Sequence, residues 1–400
     1  MNVKQNRWIR LAAGTMIFMT LGLIYAWSIF RTPISLTFPK WTFSQISLTF
    51  TISMISFCLG GMLSGKLYSR WGAFPILLSA AVLLACGFWT ASFMDPEASE
   101  QSLVILYLAY GVCCSGGVGL AYNSLLSSIL EWFPDRSGMA SGILLMGYGV
   151  GGMLLGSAVT WSIKKIGLFY MFRCLGCMMP VVVLVGAVIA KAQPSAEKKV
   201  NHGETGHDKT TAEMLREKYF WYMMCWLVIL GSIGLLVVNS AATIVAAFGA
   251  PEIIGLLVSV FNGAGRIVMG TVYDRFKGKI AFYLNSCIFL TAGILLCIGG
   301  TTGQILLVIA GLALAGSGYG GDPTIASAVV RDTYGRKYYS VNFAIVNLTM
   351  IPSSIIGPLI SSRLIERSNG GYDSTFFFAV ILALAALVLC FLMHRRGGQE

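Results

Sequence analysis

Long apolar stretches joined by short polar connections run through almost the whole chain. A helix that crosses a bilayer needs about 20 mainly apolar residues, and the sequence holds a series of stretches that meet this requirement. They lie at 11–36, 46–67, 74–94, 103–130, 138–162, 168–190, 219–245, 252–272, 280–300, 303–329, 340–362 and 373–393. The pattern predicts an all-α membrane protein with twelve transmembrane helices.

A long polar segment at 191–218 divides these stretches into two groups of six. It is rich in charged residues, which is typical of a solvated linker. We therefore predict an amino-terminal six-helix bundle at 1–190, a cytoplasmic linker at 191–218 and a carboxy-terminal six-helix bundle at 219–400.

The two groups are similar to each other in sequence. Residues 65–70 are matched by 270–275, and residues 116–131 are matched by 316–331 in the same order and at nearly the same spacing. Repeated halves of this kind are typical of secondary transporters. The sequence thus predicts two pseudo-symmetric six-helix bundles.

Basic residues indicate the orientation, because cytoplasmic connections are enriched in Lys and Arg. With the amino terminus inside, 20 of the 28 Lys and Arg residues lie on the cytoplasmic side and six on the outer side. We expect a multi-pass protein of the cell (inner or plasma) membrane with both termini cytoplasmic.

Composition bears on the function classes that remain. Charged residues make up 11% of the chain, against about 25% in soluble domains. The net charge of +11 follows the membrane asymmetry, so we expect lipid and no nucleic acid as a partner. Two nucleotide-like motifs lack their required context, since Gly60–Lys66 is followed by Leu67 and Gly147–Gly152 follows no strand. We expect no cofactor, no metal, no enzymatic activity and no ATP-driven transport.

Arg266 is the strongest candidate for a functional residue. It lies in the middle of the eighth predicted helix, eight residues or about 12 Å before Asp274 at the cytoplasmic end. A central membrane arginine costs about 2.5 kcal/mol or more, and its guanidinium can bind a carboxylate through two parallel bonds. We interpret Arg266 as an anion-binding residue. A purely structural ion pair is the alternative.

Asp322 lies at a similar depth in the tenth predicted helix, about 13.5 Å before Arg331. If Asp322 met Arg266, an incoming carboxylate would compete for the arginine and favour protonation of Asp322. This is a hypothesis for proton coupling. The alternative is a helix-breaking role beside Gly320, Gly321 and Pro323.

Further polar and aromatic residues lie at depths suited to lining a substrate cavity. Asn262 lies one turn before Arg266 and shares its face. The full set of candidates is Tyr25, Tyr122, Asn123, Tyr148, Asn239, Asn262, Tyr319 and Asn347.

The two repeated connections are predicted to act in conformational change, since charges at helix ends can pair in one state and separate in another. The residues concerned are Gly65, Ser69, Arg70, Gly270, Asp274 and Arg275.

These motifs resemble the major facilitator superfamily over essentially the whole chain. More narrowly, the sequence is similar to the oxalate/formate antiporter family and to the monocarboxylate transporters. The segments that carry the likeness are 25–27, 131–142, 147–149 and 261–266. The resemblance implies that Arg266 is the substrate arginine of the eighth transmembrane helix. It also implies that the aromatic lining is formed by Tyr25, Tyr122, Tyr148 and Tyr319.

Three positions depart from these families. Met350 stands where the oxalate exchanger has a lysine, and Asn347 replaces an aromatic residue on the same helix. Asn262 stands where monocarboxylate transporters have an acid, a role that Asp322 could take over. One fixed cation suits a monoanion better than a dianion.

The resulting expectation is a monomeric secondary transporter of small organic monocarboxylates of the formate, lactate or pyruvate type. It would work by alternating access with proton symport or anion exchange. The alternatives are a carrier of a neutral solute or drug in which Arg266 is structural, and a membrane sensor with a transporter fold.

Overall fold

The structure is a computed structural model that describes residues 3–23, 27–191, 208–368 and 371–395. The regular elements in these ranges are all helices. In the amino-terminal half they are α1 (Val3–Leu21), α2 (Trp27–Thr37), α3 (Phe43–Trp71), α4 (Ala73–Ala91), α5 (Ser99–Leu106), a π-helical stretch (Tyr107–Cys114), α6 (Ser115–Leu130), α7 (Ser137–Ile166) and α8 (Leu168–Lys191).

The remaining elements follow the polar segment. They are α9 (Thr211–Arg216), α10 (Lys218–Ala247), a 3-10 turn (Glu252–Leu256), α11 (Leu257–Thr302), α12 (Ile305–Tyr334), α13 (Tyr339–Val346), a 3-10 turn (Asn347–Thr349), α14 (Met350–Arg367) and α15 (Asp373–Arg395).

The helices coincide with the predicted spans. Ten helical segments in the described ranges are long and apolar enough to cross a membrane. One of them, Ile254–Thr302, contains two predicted spans, because α11 continues through a kink at Lys277, where φ is +65°. The first predicted span, 11–36, falls on α1 and α2. The all-α membrane fold is confirmed.

Helix ends follow local chemistry. The Thr42 side chain accepts the Gln45 backbone N–H at 3.2 Å, and the Gln45 side chain accepts the Thr42 backbone N–H at 2.8 Å. This capping box satisfies amides that have no partner within α3. The helix ends at Gly72, whose φ of +71° lies in the left-handed region that suits glycine.

The described chain forms two compact units. The first consists of residues within 1–134, 150–208 and 335–345. Its aromatic core includes Phe30 and Phe172, with ring centroids 5.4 Å apart, and the fully buried Tyr110. Helices α3 and α6 cross closely, since a Cβ built on Gly60 would lie 2.3 Å from the Gly116 carbonyl oxygen.

The second unit consists of residues within 135–149, 209–334 and 346–400. Its apolar core gathers residues such as Ile244, Leu312 and Phe376. Here α11 and α12 cross closely, since a Cβ built on Gly265 would lie 2.0 Å from the Ser317 carbonyl oxygen. Small residues at such crossings let helix backbones approach in a membrane protein.

The predicted domain limits of 1–190 and 219–400 stay a prediction. The compact units differ from them in two short segments, because 135–149, which includes the first part of α7, belongs to the second unit and 335–345 to the first. Residues 192–207 of the predicted linker lie outside the described ranges. The end of that linker contains α9, whose Met214 is fully buried.

Candidate functional site

Arg266 lies on α11 in the second unit and is only 8% exposed. Its Nε donates to the Asn262 side-chain oxygen at 3.0 Å, one helical turn earlier. Its Nη1 donates to the Leu145 carbonyl oxygen of α7. Both acceptors are uncharged, so these two bonds orient the guanidinium without neutralising it.

The guanidinium fits against α7 because that helix carries glycines at the contact. A Cβ on Gly142 would lie 2.4 Å from the Arg266 carbonyl oxygen. A Cβ on Gly149 would lie 3.0 Å from both Cζ and Nη2 of the Arg266 side chain. The Gly147–Gly149 segment that looked like a nucleotide motif therefore makes room for an arginine.

Asp322 lies on α12 and is 4% exposed. Its Oδ1 accepts a hydrogen bond from Asn285 Nδ2 at 2.8 Å, and Asn285 also donates to the Gly318 carbonyl oxygen at 3.1 Å. Asp322 forms no ion pair with any residue that the structure describes. The partner of Asp322 is therefore the Asn285 amide, on the part of α11 after Lys277, and not Arg266 as hypothesised from the sequence.

The other predicted lining residues of the second unit have different environments. Tyr148 is buried, and Asn347 is also buried, in the 3-10 turn between α13 and α14. Tyr319 is half-buried and packs on α10, where a Cβ on Gly234 would lie 2.2 Å from its ring. Asn239 on α10 is exposed.

In the first unit, Tyr122 is buried between two aromatic rings, with centroids 5.2 Å from Phe18 and 5.2 Å from Phe57. Asn123 is fully buried and donates to the carbonyl oxygens of Gly61 at 3.0 Å and Ser340 at 2.9 Å. Its amide nitrogen therefore holds α6 to α3 and α13. Tyr25 lies outside the described residues.

The two repeated connections have different contacts. Asp274 accepts the backbone N–H groups of Gly138 and Met139 at 2.8 Å each, so its carboxylate caps the amino terminus of α7. Gly270 lies against the same turn, since its Cβ would be 2.2 Å from the Gly138 carbonyl oxygen. Arg275 lies with its guanidinium 5.3 Å from the Phe276 ring.

The first connection relies on shape. A Cβ on Gly65 would lie 2.5 Å from Val341 Cα of α13. Ser69 is exposed and bonds only weakly to the Lys66 carbonyl at 3.4 Å, and Arg70 is exposed. The gating role of both connections stays a prediction.

Sequence reasoning missed Asn285 and the Leu145 carbonyl. Asn285 was detectable, because it is an amide within the predicted span 280–300. The Leu145 carbonyl had no sequence signal, since every residue carries one.

Comparisons with known proteins agree with this architecture. A family model described as the Major Facilitator Superfamily matches residues 8–321 and 234–400. The chain is 24% identical over 352 residues to the uncharacterized MFS-type transporter YhjX of Escherichia coli K12, covering 87% of this chain and 85% of that protein. It is 25% identical over 406 residues to the oxalate:formate antiporter of Oxalobacter formigenes, covering 98% and 93%.

Human monocarboxylate transporter 10 is 23% identical over 337 residues, covering 78% of this chain and 63% of that protein. Among solved structures, the proton:xylose symporter XylE superposes with a TM-score of 0.72 at 13% identity, over 98% of this chain and 96% of that chain. At that identity the likeness shows the fold alone.

The family model spans nearly the whole chain, the described helices have the matching fold, and the named relatives are carriers rather than enzymes. This chain belongs to the Major Facilitator Superfamily and is a multi-pass membrane transporter of small solutes.

Proposed function

We propose that this protein is a secondary active transporter of small organic anions, most specifically monocarboxylates, and that Arg266 binds the substrate carboxylate. The observation that carries the proposal is the buried guanidinium in the span of α11, held in place by Asn262 and the Leu145 carbonyl.

The energetic cost of burying Arg266 and the geometry of its side chain both favour a role in substrate binding. A buried guanidinium in a membrane span is expensive, so such residues mark substrate or ion pathways by default. Hydrogen bonds from Nε and Nη1 to uncharged oxygens fix the plane of the side chain. A fixed plane lowers the entropy cost of binding a carboxylate through two parallel bonds.

The named relatives support the same substrate class, since one is an oxalate:formate antiporter and another a monocarboxylate transporter. The resemblance to the oxalate/formate antiporter family implies that Met350 takes the place of a membrane lysine, which leaves one cation where a dianion would need two. We therefore favour formate, lactate or pyruvate over oxalate.

The remaining parts of the proposal follow from the sequence. Transport works by alternating access, with proton symport or anion exchange, and Asp322 takes the coupling proton. The protein lies in the plasma membrane as a monomer with both termini cytoplasmic, which the 20-to-6 distribution of Lys and Arg supports. Tyr148 and Tyr319, which belong to the same unit as Arg266, supply aromatic surface for the anion.

The test is uptake of formate, lactate, pyruvate and oxalate by purified protein in liposomes. We expect Arg266→Ala and Arg266→Lys to raise the KM at least about tenfold, because losing a buried charge partner costs about 2–5 kcal/mol and lysine offers no parallel donors. Arg363→Ala is the matched control, since Arg363 is exposed at the end of α14. Undiminished carboxylate uptake by both Arg266 variants would refute the proposal.

A carrier of a neutral solute is the second candidate. One observation favours it: the Arg266 guanidinium bonds to α7 and packs on Gly149, so it can serve as a helix–helix contact. In that case Arg266→Ala would lower the thermal stability, while the preferred solute would be uncharged.

A further inference from the structure

A second buried polar centre lies in the same unit, between α12 and the part of α11 that follows the Lys277 kink. Asn285 is fully buried and joins Asp322 through its amide nitrogen. Two oxygen atoms, Asn285 Oδ1 and Asp322 Oδ2, are buried and have no hydrogen-bond partner among the described residues. Two acceptors of this centre therefore lack a donor among the described residues.

This centre points away from Arg266. Gly320 faces the arginine segment, since its Cβ would lie 2.0 Å from the Asn262 carbonyl oxygen and 3.1 Å from Arg266 N. Asp322 is two residues later, and two residues rotate the side-chain direction by about 200° on a helix. Gly318 lies one turn before Asp322 and faces the Phe289 ring, and its carbonyl oxygen accepts the second hydrogen bond of the Asn285 amide.

A proton fits this centre better than a metal ion. A buried carboxylate without an ion-pair partner is costly, and a proton on Oδ2 removes the charge and supplies the missing donor. Ca²⁺ would need about six to eight oxygen ligands. The described residues contain no group of three or more His, Cys, Asp or Glu placed to hold a metal.

Few titratable groups surround the carboxyl. On α12 itself, the nearest titratable group in sequence is the Tyr319 phenol, three residues before Asp322. From α11, Asn285 is the uncharged donor, and the charged Arg266 lies on the side of α12 that Gly320 marks. The residues that α10 buries are apolar, glycine or Ser232, and none of them titrates.

We infer that Asp322 and Asn285 form a proton-binding site separate from the Arg266 anion site, in which Asn285 is the positioning residue. The proton adds to the Oδ2 lone pair and leaves from it, and no other bond changes. The coupling role rests on the proposed function.

The proton site can be tested without any substrate. In pH-difference infrared spectra of the purified full-length protein, we expect a carboxylic C=O band from the protonated Asp322 side chain. The band should be absent in Asp322→Asn and present in Glu366→Gln, which removes an exposed carboxylate of α14. A band that persists in Asp322→Asn, or no difference between the two variants, overturns the inference.

The coupling can be tested in liposomes. We expect Asp322→Asn to lose lactate accumulation driven by a pH gradient and to keep lactate counterflow, which also shows that the variant is folded. The Asn285 amide donates to Asp322 and so stabilises the charged carboxylate. Asn285→Ala removes this donor, which favours the protonated acid, so the pH at half-maximal uptake should rise. Gradient-driven accumulation by Asp322→Asn, or accumulation by the wild type driven by sodium instead of protons, overturns the inference.

The two proposals fail in different ways. If no carboxylate is transported but the infrared band depends on Asp322, the proton site stands and the proposed substrate class fails. If carboxylate uptake depends on Arg266 but no infrared band depends on Asp322, the proposed substrate class stands and the proton site fails.

Discussion

The same helix crossing is built twice in this molecule, once without charge and once with it. In the first unit, α3 and α6 meet at Gly60 and Gly119, whose Cβ atoms would lie 2.3 Å and 2.1 Å from backbone oxygens of the other helix. In the second unit, α11 and α12 meet at Gly265 and Gly320, whose Cβ atoms would each lie 2.0 Å from a backbone oxygen of the other helix.

The side chains around the two crossings differ. At the spacing that relates Gly60 to Gly265, Phe57 corresponds to Asn262 and Gly61 to Arg266. Tyr122, buried against Phe57, has Asp322 at the related position of α12. The repeated glycines therefore set the approach of the helices, and the neighbouring residues decide which unit holds the buried charges.

The largest expected effect tests the shared part of this comparison. Gly60→Ala and Gly265→Ala should each destabilise the protein by about 3 kcal/mol, because the new methyl overlaps a backbone oxygen. Gly61→Ala is the matched control, since the nearest atom to its Cβ is 3.9 Å away. The measurement is the thermal unfolding midpoint in detergent. Equal destabilisation by Gly61→Ala would contradict the steric explanation.

A smaller effect is expected at Gly149, which belongs to the charged crossing. Gly149→Ala places a methyl 3.0 Å from the Arg266 guanidinium, which is the end of a flexible side chain and can shift to relieve the contact. We expect a higher KM for carboxylate with little change in the unfolding midpoint. A lower midpoint with an unchanged KM would show that the contact is structural.

The repeated connections give a third comparison. Asp274→Ala should lower stability by about 0.5–2 kcal/mol, because the carboxylate caps two amides of α7. Ser69→Ala at the related position should have almost no effect, since Ser69 is exposed. Both are measured by thermal unfolding, and a large effect of Ser69→Ala would show that the two connections are equivalent after all.

The smallest effect concerns the two capping boxes, the neutral Thr42–Gln45 box of α3 and the charged Thr210–Glu213 box of α9. The Thr210 backbone N–H lowers the pKa of the Glu213 carboxyl at the start of α9. A lowered folded-state pKa means that this contribution is complete above the unfolded pKa and is lost as the pH falls through the folded pKa. The Gln45 box of α3 has no such titration.

Hydrogen exchange of the first turns of α3 and α9, at neutral and acidic pH, measures this difference. Protection of α9 should fall on acidification while that of α3 persists, and Glu213→Gln should remove the pH dependence. A pH-independent α9 in the wild type would show that the Glu213 bonds do not stabilise the helix.

Much of this architecture was predictable because its signals are local. Membrane spans follow from runs of apolar residues, and the end of α3 follows from Thr42, Gln45 and Gly72. Arg266 and Asn262 were recognisable as a pair because residues four apart share a helix face. Their hydrogen bond of 3.0 Å agrees with that expectation.

Other features depended on which helices meet. The sequence alone suggested Arg266 as the partner of Asp322, since the two lie at similar depth. The structure gives Asp322 an amide from the later part of α11, because glycines at 265 and 320 bring α12 against α11 in one particular rotation. Asn123 looked like a lining residue, yet its amide nitrogen bonds to the backbones of two other helices.

By itself, then, the amino-acid sequence determined the helices, their number and the repeat, and it identified the buried arginine. These properties depend on hydropathy and on spacing along one helix. Only the tertiary structure decided the partner of each buried polar group: Leu145 for Arg266, Asn285 for Asp322 and the α7 amides for Asp274. The reason is that a hydrogen bond requires a specific direction at about 3 Å, which the rotation of one helix against another sets and no local pattern encodes.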